Sequence, residues 1–453
     1  MSDFFSTDKE IITGIAPGRL DVMGGISDYS GSLLLQMPIR ELTVVQVQQR
    51  DDNLVRIQSI LGKKRALHFT ISTDSIYNKT YEEVRKIMQG MEGGDWAGYV
   101  IGCIVVLWRE KNIKPIGLNI FIGSGIPQGK GVSSSAALEV ATLSALRKLM
   151  SLHLDDTELP LLAQKAENLV VGAPCGLMDQ LSSYLGQKNK LLPLICQPHT
   201  VLEPIPLPPG ISFCAIDSGI RHAVSGASYS DVRAAAFMAY TLVAVQEGCK
   251  EEELILARQK GDYSKIPFGG YLANISPSHF FQHYYNAIPE LMKGADFIDR
   301  YRISIDAVTD IDPQKNYYLR NCALHPVLEN FRIQSFIYLI QNFKRQKDKE
   351  SLLLQMGELM YQSHSGYTLV GLGNDCTDEL VQRVKRAGSA GGVYGARITG
   401  GGSGGTVVIL CYGKKGKDTA KRIYEEYCRD HSIGSYFFYG SSDGALKLNA
   451  DKL

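Results

Sequence analysis

Alternating and β-branched apolar positions mark Leu42–Gln48, Leu54–Ser59 and Ala66–Ile71 as strands. The period then lengthens, and Tyr81–Gln89 and the more apolar Trp96–Glu110 read as helices. Ile116–Ile122 returns to strand and feeds a loop rich in glycine and serine. Helices follow from those serines to about Met150 and from Thr157 to about Val171. A break at Pro174–Gln180 opens another helix, and Leu192–Gln197 and Ile211–Asp217 read as strands. Pro198–Gly210 holds five prolines and one glycine, which suits a crossing between two halves. Beyond it the pattern is helical over Tyr229–Gln246, Val327–Phe343, Ser351–Tyr361 and Asp375–Lys385. Strands at Gly392–Ile398 and Gly405–Cys411, a helix at Lys415–Arg429 and a strand at Tyr436–Tyr439 close the chain. The mixed order predicts an α+β protein in two lobes, residues 1–205 and 206–453.

Bulk composition narrows the function. Lys+Arg 48 against Asp+Glu 47 gives a net charge of +1, which points to neither nucleic acid nor an anionic membrane as partner. The best apolar run, Ile101–Trp108, is far too short for a membrane span. The N-terminus has neither the basic nor the apolar region of a signal peptide. Nine scattered cysteines without a C-x-x-C pair suggest reduced thiols in the cytoplasm and no zinc site.

The chemistry concentrates in a few blocks. Gly123–Ala137 carries Gly125, Gly129 and Gly131, then Ser133, Ser134 and Ser135. Glycines let the backbone take positive φ and come close to a ligand. The serines stand where a helix begins, so unpaired N–H groups and the positive helix pole face the loop. That combination suits phosphate. A serine-capped turn is the commoner use of a bare Gly/Ser loop, but the length and order of this one favour phosphate. A P-loop would need Gly at position 124 and Ser or Thr at 131, where the chain has Ser124 and Gly131. The dinucleotide fingerprint fails at Gln128.

Ala16–Ser32 is a second glycine-rich cluster, with Arg19, Asp21, Asp28 and Tyr29. An Asp-Tyr pair in such a turn suits sugar hydroxyls, and equally a structural hairpin capped by Asp28. Asp179 follows a Gly-Pro break near a helix start, where a carboxylate serves as general base or as a dipole-favoured helix acid. Glu167 gains meaning as a metal ligand only beside a phosphate loop. Thr399–Thr406 has five glycines in six positions, more than a tight hairpin requires. Asp217–His222, then Ser228, Tyr229 and Arg233, form a polar turn entering a helix. His222 reads as structural and Tyr229 as a candidate sugar contact.

Taken together and in this order, the blocks resemble the GHMP small-molecule kinases, galactokinase branch, over nearly the whole chain. The matching stretches are Ala16–Ser32, Pro127–Ala136, Cys175–Gln180, Asp217–His222 and Thr399–Gly405. The resemblance implies an N-terminal S5-like α/β lobe and a ferredoxin-like C-terminal lobe, with the active site between them and the last strand able to pack on the N-terminal lobe. It implies that Gly125, Gly129, Gly131, Ser133, Ser134, Ser135 and Ala136 wrap the ATP phosphates, and that Ser135 and Glu167 hold Mg²⁺. Asp179 would be the catalytic carboxylate with Arg19 as its partner. Arg19, Gly25, Asp28, Tyr29, Asp179 and Tyr229 would surround the sugar, and Gly400, Gly401, Gly402, Ser403 and Gly404 would shape the site between the lobes.

One departure bears on the substrate. Where the branch has Glu-His, this chain has Gly25 and Ile26. The acid is associated with the C6 hydroxyl of galactose, and glycine cannot replace that hydrogen bond. L-Arabinopyranose shares the ring stereochemistry of D-galactopyranose but lacks the C6 group. Gly24–Gly31, Cys322–Phe331, Gly357–His364 and Thr399–Thr406 are also similar to the kinase portion of plant-type L-arabinokinases. The expectation is an ATP- and Mg²⁺-dependent kinase of the C1 hydroxyl of L-arabinose, cytoplasmic, monomeric or homodimeric. D-Galactose 1-kinase is the alternative. A non-catalytic sugar and ATP sensor is disfavoured by the complete serine loop and by Asp179 and Arg19.

Overall fold

A computed structural model describes residues 4–61, 67–173, 175–197, 199–220 and 229–449. The stretch around Pro17 and Gly18 runs extended, so β1 (Ile12–Met23) pairs antiparallel with β2 (Leu33–Gln49). The ladder slips between Pro17 and Arg19 and between Asp21 and Met23, which accommodates the proline and glycine as irregularities. At the first slip the Arg19 N–H donates to Val132 O instead, at 3.1 Å. β3 (Leu54–Leu61), β4 (Leu67–Ser72), β5 (Leu118–Ser124), β6 (Lys190–Ile195) and β7 (Thr200–Val201) extend the sheet in the order β4-β3-β5-β2-β6-β7. β8 (Ile205–Pro206) also pairs with β6. Five helices accompany this sheet: α1 (Tyr81–Gln89), α2 (Gly94–Lys111), α3 (Ser134–Leu149), α4 (Glu158–Lys165) and α5 (Met178–Leu185). Val45, Val47, Ile57 and Ile120 pack beneath Ile101, Ile104, Val140 and Leu162 in one core.

β9 (Ile211–Asp217) begins the second sheet. A long helical excursion follows: α6 (Tyr229–Gln246), α7 (Glu251–Lys260), α8 (Pro277–His283), a two-residue pairing of β10 (Met292–Lys293) with β11 (Asn316–Tyr317) around α9 (Gly294–Tyr301), then α10 (Leu319–Asn342), α11 (Lys349–Leu369) and α12 (Asp375–Ala387). β12 (Val393–Ile398), β13 (Thr406–Tyr412), α13 (Gly413–His431), β14 (Phe437–Tyr439) and α14 (Ala445–Leu448) end the described chain. The antiparallel order β12-β13-β9-β14 is that of a ferredoxin-like sheet. Period-two alternation sorts its side chains. Cys214, Ile216, Val407 and Ile409 face α12 and α13, while Phe213, Ala215, Val408 and Leu410 face a core shared with Leu20, Val22, Leu35 and Met37 of the first sheet. The two lobes therefore meet over continuous apolar packing, with the glycine blocks of both at its edge.

Several elements depart from the pattern reading. Tertiary packing carries α10 back to Leu319 through Pro326, because Cys322, Ala323, His325 and Val327 are all buried there. Helix α4 gives way to a π-helical turn, Ala166–Val171, that carries Glu167. The last strand pairs in the second sheet and also packs on β2, with Phe438 in the core shared with Leu20 and Met37, and α14 beyond it packs on the first lobe as well, where Asn449 exchanges hydrogen bonds with the backbone of Ile15. Pro174, Pro198, Arg221, His222 and Ser228 lie outside the described residues. No helix among the described residues is long and apolar enough to cross a membrane.

Candidate active site

The glycine–serine loop leaves the end of β5, where Gly125 N–H donates to Leu42 O at 2.9 Å. Gly129 and Gly131 take φ of 69° and 72°, and Ser133 enters α3 at φ 58°, a left-handed conformation that costs a serine energy. The Ser133 hydroxyl is buried without a hydrogen-bond partner among the described residues. The first intrahelical bond of α3 is Ala137 N–H to Ser133 O, so the amides of Ser134, Ser135 and Ala136 have no acceptor within the helix. Among the described residues the loop thus holds three amides without an acceptor and an orphaned hydroxyl at a helix N-terminus, which fits an anion. Its other side is braced by the second lobe. Lys130 Nζ pairs with Asp217 Oδ2 at 2.7 Å, and Thr406 Oγ1 donates to Lys130 O at 2.7 Å.

A cavity of about 420 Å³ opens beside this loop. Arg19, Gly25, Asp28, Gly129, Gly131, Ser133, Ser134, Ser135, Asp179, Tyr229, Gly400 and Gly401 all line it, so it gathers most of the residues singled out from the sequence. Asp179 stands in the first turn of α5. Arg19, on β1, reaches it with Nε at 2.9 Å and Nη2 at 2.7 Å, and Arg19 Nη1 donates to Gly131 O at 2.7 Å. Asp28 sits in the 3₁₀ turn Gly25–Ser30, where its Oδ1 accepts from Tyr29 N–H at 2.8 Å and Tyr229 OH at 3.1 Å. Burial pushes the Asp28 carboxyl up to about 6, against the opposing pull of Arg233.

Other residues sit differently from the expectation. The Tyr29 ring does not line the cavity; it packs against Tyr229 with centroids 5.7 Å apart. Ile26 is buried in the helical core, so it gives the cavity no apolar wall. Gly125 and Ala136 lie at the ends of the loop, away from the lining. In the third block only Gly400 and Gly401 line the cavity. A side chain at Gly402 would strike Leu372, and Ser403 N–H is held by Leu372 O at 2.8 Å.

Glu167 is buried behind Ser135. Gln180 Nε2 donates to its Oε2 at 2.8 Å and the Cys175 thiol lies 3.4 Å from the same oxygen. Burial first, and then the charge of Asp179, push Glu167 up to about 7. Glu139, fully buried on α3, shares Gln180 with it and is held well above the usual carboxylate range by desolvation. Glu167 and the Ser135 hydroxyl are hard oxygen donors of the kind a divalent cation takes, and no group of three or more His, Cys, Asp or Glu among the described residues is placed to hold a metal ion by itself.

Three features were not read from the sequence. Glu139 belongs to no motif and occupies an ordinary polar position in the run of α3. Gly176 is required because a Cβ there would come within 2.2 Å of Asp28 Oδ2. A second cavity, about 350 Å³, is lined by Leu67, Trp96, Tyr99, Ile122 and Leu138 and shares Tyr99, Gly129, Ser134 and Ser135 with the first. Its aromatic members sit on a helix whose apolar run masks them.

Residues 98–187 match the GHMP kinases N terminal domain, and residues 344–432 the GHMP kinases C terminal domain. The chain therefore carries both domains found in the GHMP kinases. The first match spans the phosphate loop and Asp179, and the second contains the Thr399–Gly405 block. The chain is 37% identical to an L-arabinokinase of Arabidopsis thaliana over 98% of its own length and 47% of that protein. It therefore spans about half the length of that relative. It is 29% identical to a galactokinase of Chloroflexus aggregans, with 88% of this chain and 84% of that one covered. In structure it resembles Lactococcus lactis galactokinase complexed with galactose, at TM-score 0.70, 23% identity and coverage of 98% and 96%. A mevalonate kinase of Methanococcus jannaschii superposes at TM-score 0.55 with 14% identity, over 96% of this chain and 99% of that one.

Proposed function

We propose that this chain transfers the terminal phosphoryl group of ATP to the anomeric C1 hydroxyl of L-arabinose, giving L-arabinose 1-phosphate. The observation that carries this reading is one cavity that holds a loop fitted for phosphate, a paired carboxylate at Asp179 and an Asp28–Tyr229 pair, with no side chain at Gly25. Asp179 accepts the C1 hydroxyl proton, and Arg19 fixes the carboxylate and limits its freedom. Asp28 and Tyr229 take ring hydroxyls. The amides of Ser134 and Ser135 and the Ser133 hydroxyl hold phosphate oxygens, and positioning of this kind supplies most of the catalysis in phosphoryl transfer. Trp96, Tyr99 and Leu138 receive the nucleobase in the second cavity. Mg²⁺ would be held by Ser135 and Glu167, where it neutralises phosphate charge.

We place the division between the lobes near residues 205–206, where pairing to β6 ends. The protein works in the cytoplasm, as a monomer or homodimer, with its nine cysteines free.

The test is phosphate transfer from ATP to a sugar panel. L-Arabinose should have the highest kcat/KM. A higher value for D-galactose would make the chain a galactose 1-kinase, a reading supported by its likeness to galactokinases. Transfer to neither sugar would remove the sugar kinase reading altogether.

A further inference from the structure

Tyr367, on α11, is fully buried and outside the cavity, yet it touches both glycine blocks that line one end of it. Its hydroxyl donates to Gly400 O at 2.7 Å and accepts from Ile26 N–H at 3.2 Å. The ring is fixed on two sides. Arg397 lies over it at 5.2 Å, and His325 meets it edge-on at 5.8 Å. A Cβ built on Gly25 would lie 1.7 Å from the Tyr367 hydroxyl oxygen and 3.0 Å from its Cζ, with Asp21 Oδ2 at 2.8 Å on another side. Position 25 also stands at φ +44°, where a side chain is strained.

A phenol has one proton to donate, and Gly400 O takes it. The oxygen that fills the space of a side chain at 25 is therefore buried and already engaged, so it cannot serve a ligand in place of that side chain. We infer that Tyr367 is a specificity-determining residue acting through Gly25 and Gly400. It holds the first and third glycine blocks together on one oxygen and keeps the cavity floor at Gly25 bare backbone. A pyranose without an exocyclic carbon fits that floor. One with a hydroxymethyl group there leaves its hydroxyl desolvated and unpaired, a loss that discriminates by about tenfold to a hundredfold. The inference rests on the reading that a sugar occupies this end of the cavity.

The test is a double-mutant cycle with Tyr367→Phe, Gly25→Ala and the pair. kcat and KM are measured separately for L-arabinose, D-galactose and ATP, with melting curves alongside. Tyr367→Phe leaves Gly400 O and Ile26 N–H free to hold a water at the floor. It should raise the D-galactose to L-arabinose ratio of kcat/KM about tenfold, through sugar KM, with ATP KM unchanged. Gly25→Ala should lower sugar kcat/KM severely, and Tyr367→Phe should recover part of that loss. An unchanged sugar ratio in Tyr367→Phe overturns the proposal by itself, even if Gly25→Ala fails to fold. Losses that multiply in the double variant overturn it too, as does an equal loss for ATP and both sugars. If the unaltered protein phosphorylates neither sugar, it is the underlying sugar kinase reading that fails, and the inference goes with it.

Discussion

Arg19 grips only one oxygen of Asp179. Its Nε and Nη2 both close on Oδ1, at 2.9 and 2.7 Å, and no hydrogen bond among the described residues takes Oδ2. The same guanidinium holds Gly131 O at 2.7 Å, so the free carboxylate oxygen is set relative to the phosphate loop. Asp179→Asn keeps the shape and removes the base. It should lower kcat by about 10²–10⁴-fold with ATP affinity intact. Arg19→Lys cannot span both partners, so it should weaken kcat and ATP binding together. Single-turnover rates and calorimetric ATP titrations check both. A loss under about tenfold in Asp179→Asn is too small for a proton acceptor.

The Asp28 carboxyl, raised to about 6 by burial, links sugar binding to stability. Its folded value lies above the ordinary value of 3.8, so the folded protein binds this proton more tightly than the unfolded chain. The stabilisation from this group is present at low pH and is lost as pH rises through about 6. Asp28→Asn keeps the acceptor for Tyr29 N–H and Tyr229 OH but removes the buried charge. It should melt higher than the parent at pH 7, with the difference shrinking toward pH 5. Its sugar KM should rise, since the amide puts an NH2 donor where Asp28 offers its second carboxylate oxygen to a sugar hydroxyl. In the unaltered protein, sugar KM should rise as pH falls from 7 to 5. A variant no more stable at pH 7 than its parent contradicts the charge argument.

Trp96 lines the second cavity and meets Phe69 edge-on at 6.4 Å. Trp96→Ala should raise the ATP KM by about tenfold, through lost apolar contact, while kcat at saturating ATP changes little. Fluorescence titration with an ATP analogue separates the two. A fall in kcat without a change in ATP affinity would place the nucleobase elsewhere.

The sequence made the phosphate loop and Asp179 legible because their chemistry is written in consecutive residues. Glycine spacing and a serine-capped helix survive without tertiary context. Tyr367 and Glu139 were not legible, because their roles depend on what a distant segment places against them: Gly25 for one, Glu167 with Gln180 for the other. The fold divides in the same way. β9 and β13 are short apolar runs rich in β-branched residues and legible as strands, whereas β1 is hidden by Pro17 and Gly18, whose fit depends on slips in its pairing with β2. The start of α10 was misplaced because Pro326 is a local stop signal that burial of its neighbours overrides. The substrate signal lay in an absence at Gly25, and only the position of Tyr367 shows why that glycine is required.

Asp21 on β1 and Arg397 on β12 form an ion pair across the two sheets, at 2.7 Å and with both side chains fully buried. Gln36 Nε2 donates to the other Asp21 oxygen at 2.6 Å, while Arg397 Nε and Nη2 have no partner among the described residues. Taking two charges out of water costs several kcal/mol each, and their attraction offsets this only while both are present. Arg397→Met strands the Asp21 carboxylate beside Gln36 and should cost about 3–5 kcal/mol in denaturant unfolding. Asp21→Asn in the same chain removes the stranded charge, so the double variant should regain more than half of that loss. Because Thr399 Oγ1 accepts from Asp21 N–H at 2.7 Å, the double variant keeps the link between the first and third blocks, and its ATP KM should stay near the parent value. If the double variant is as unstable as Arg397→Met alone, the stranded charge is not the cause and the guanidinium packing on Tyr367 is.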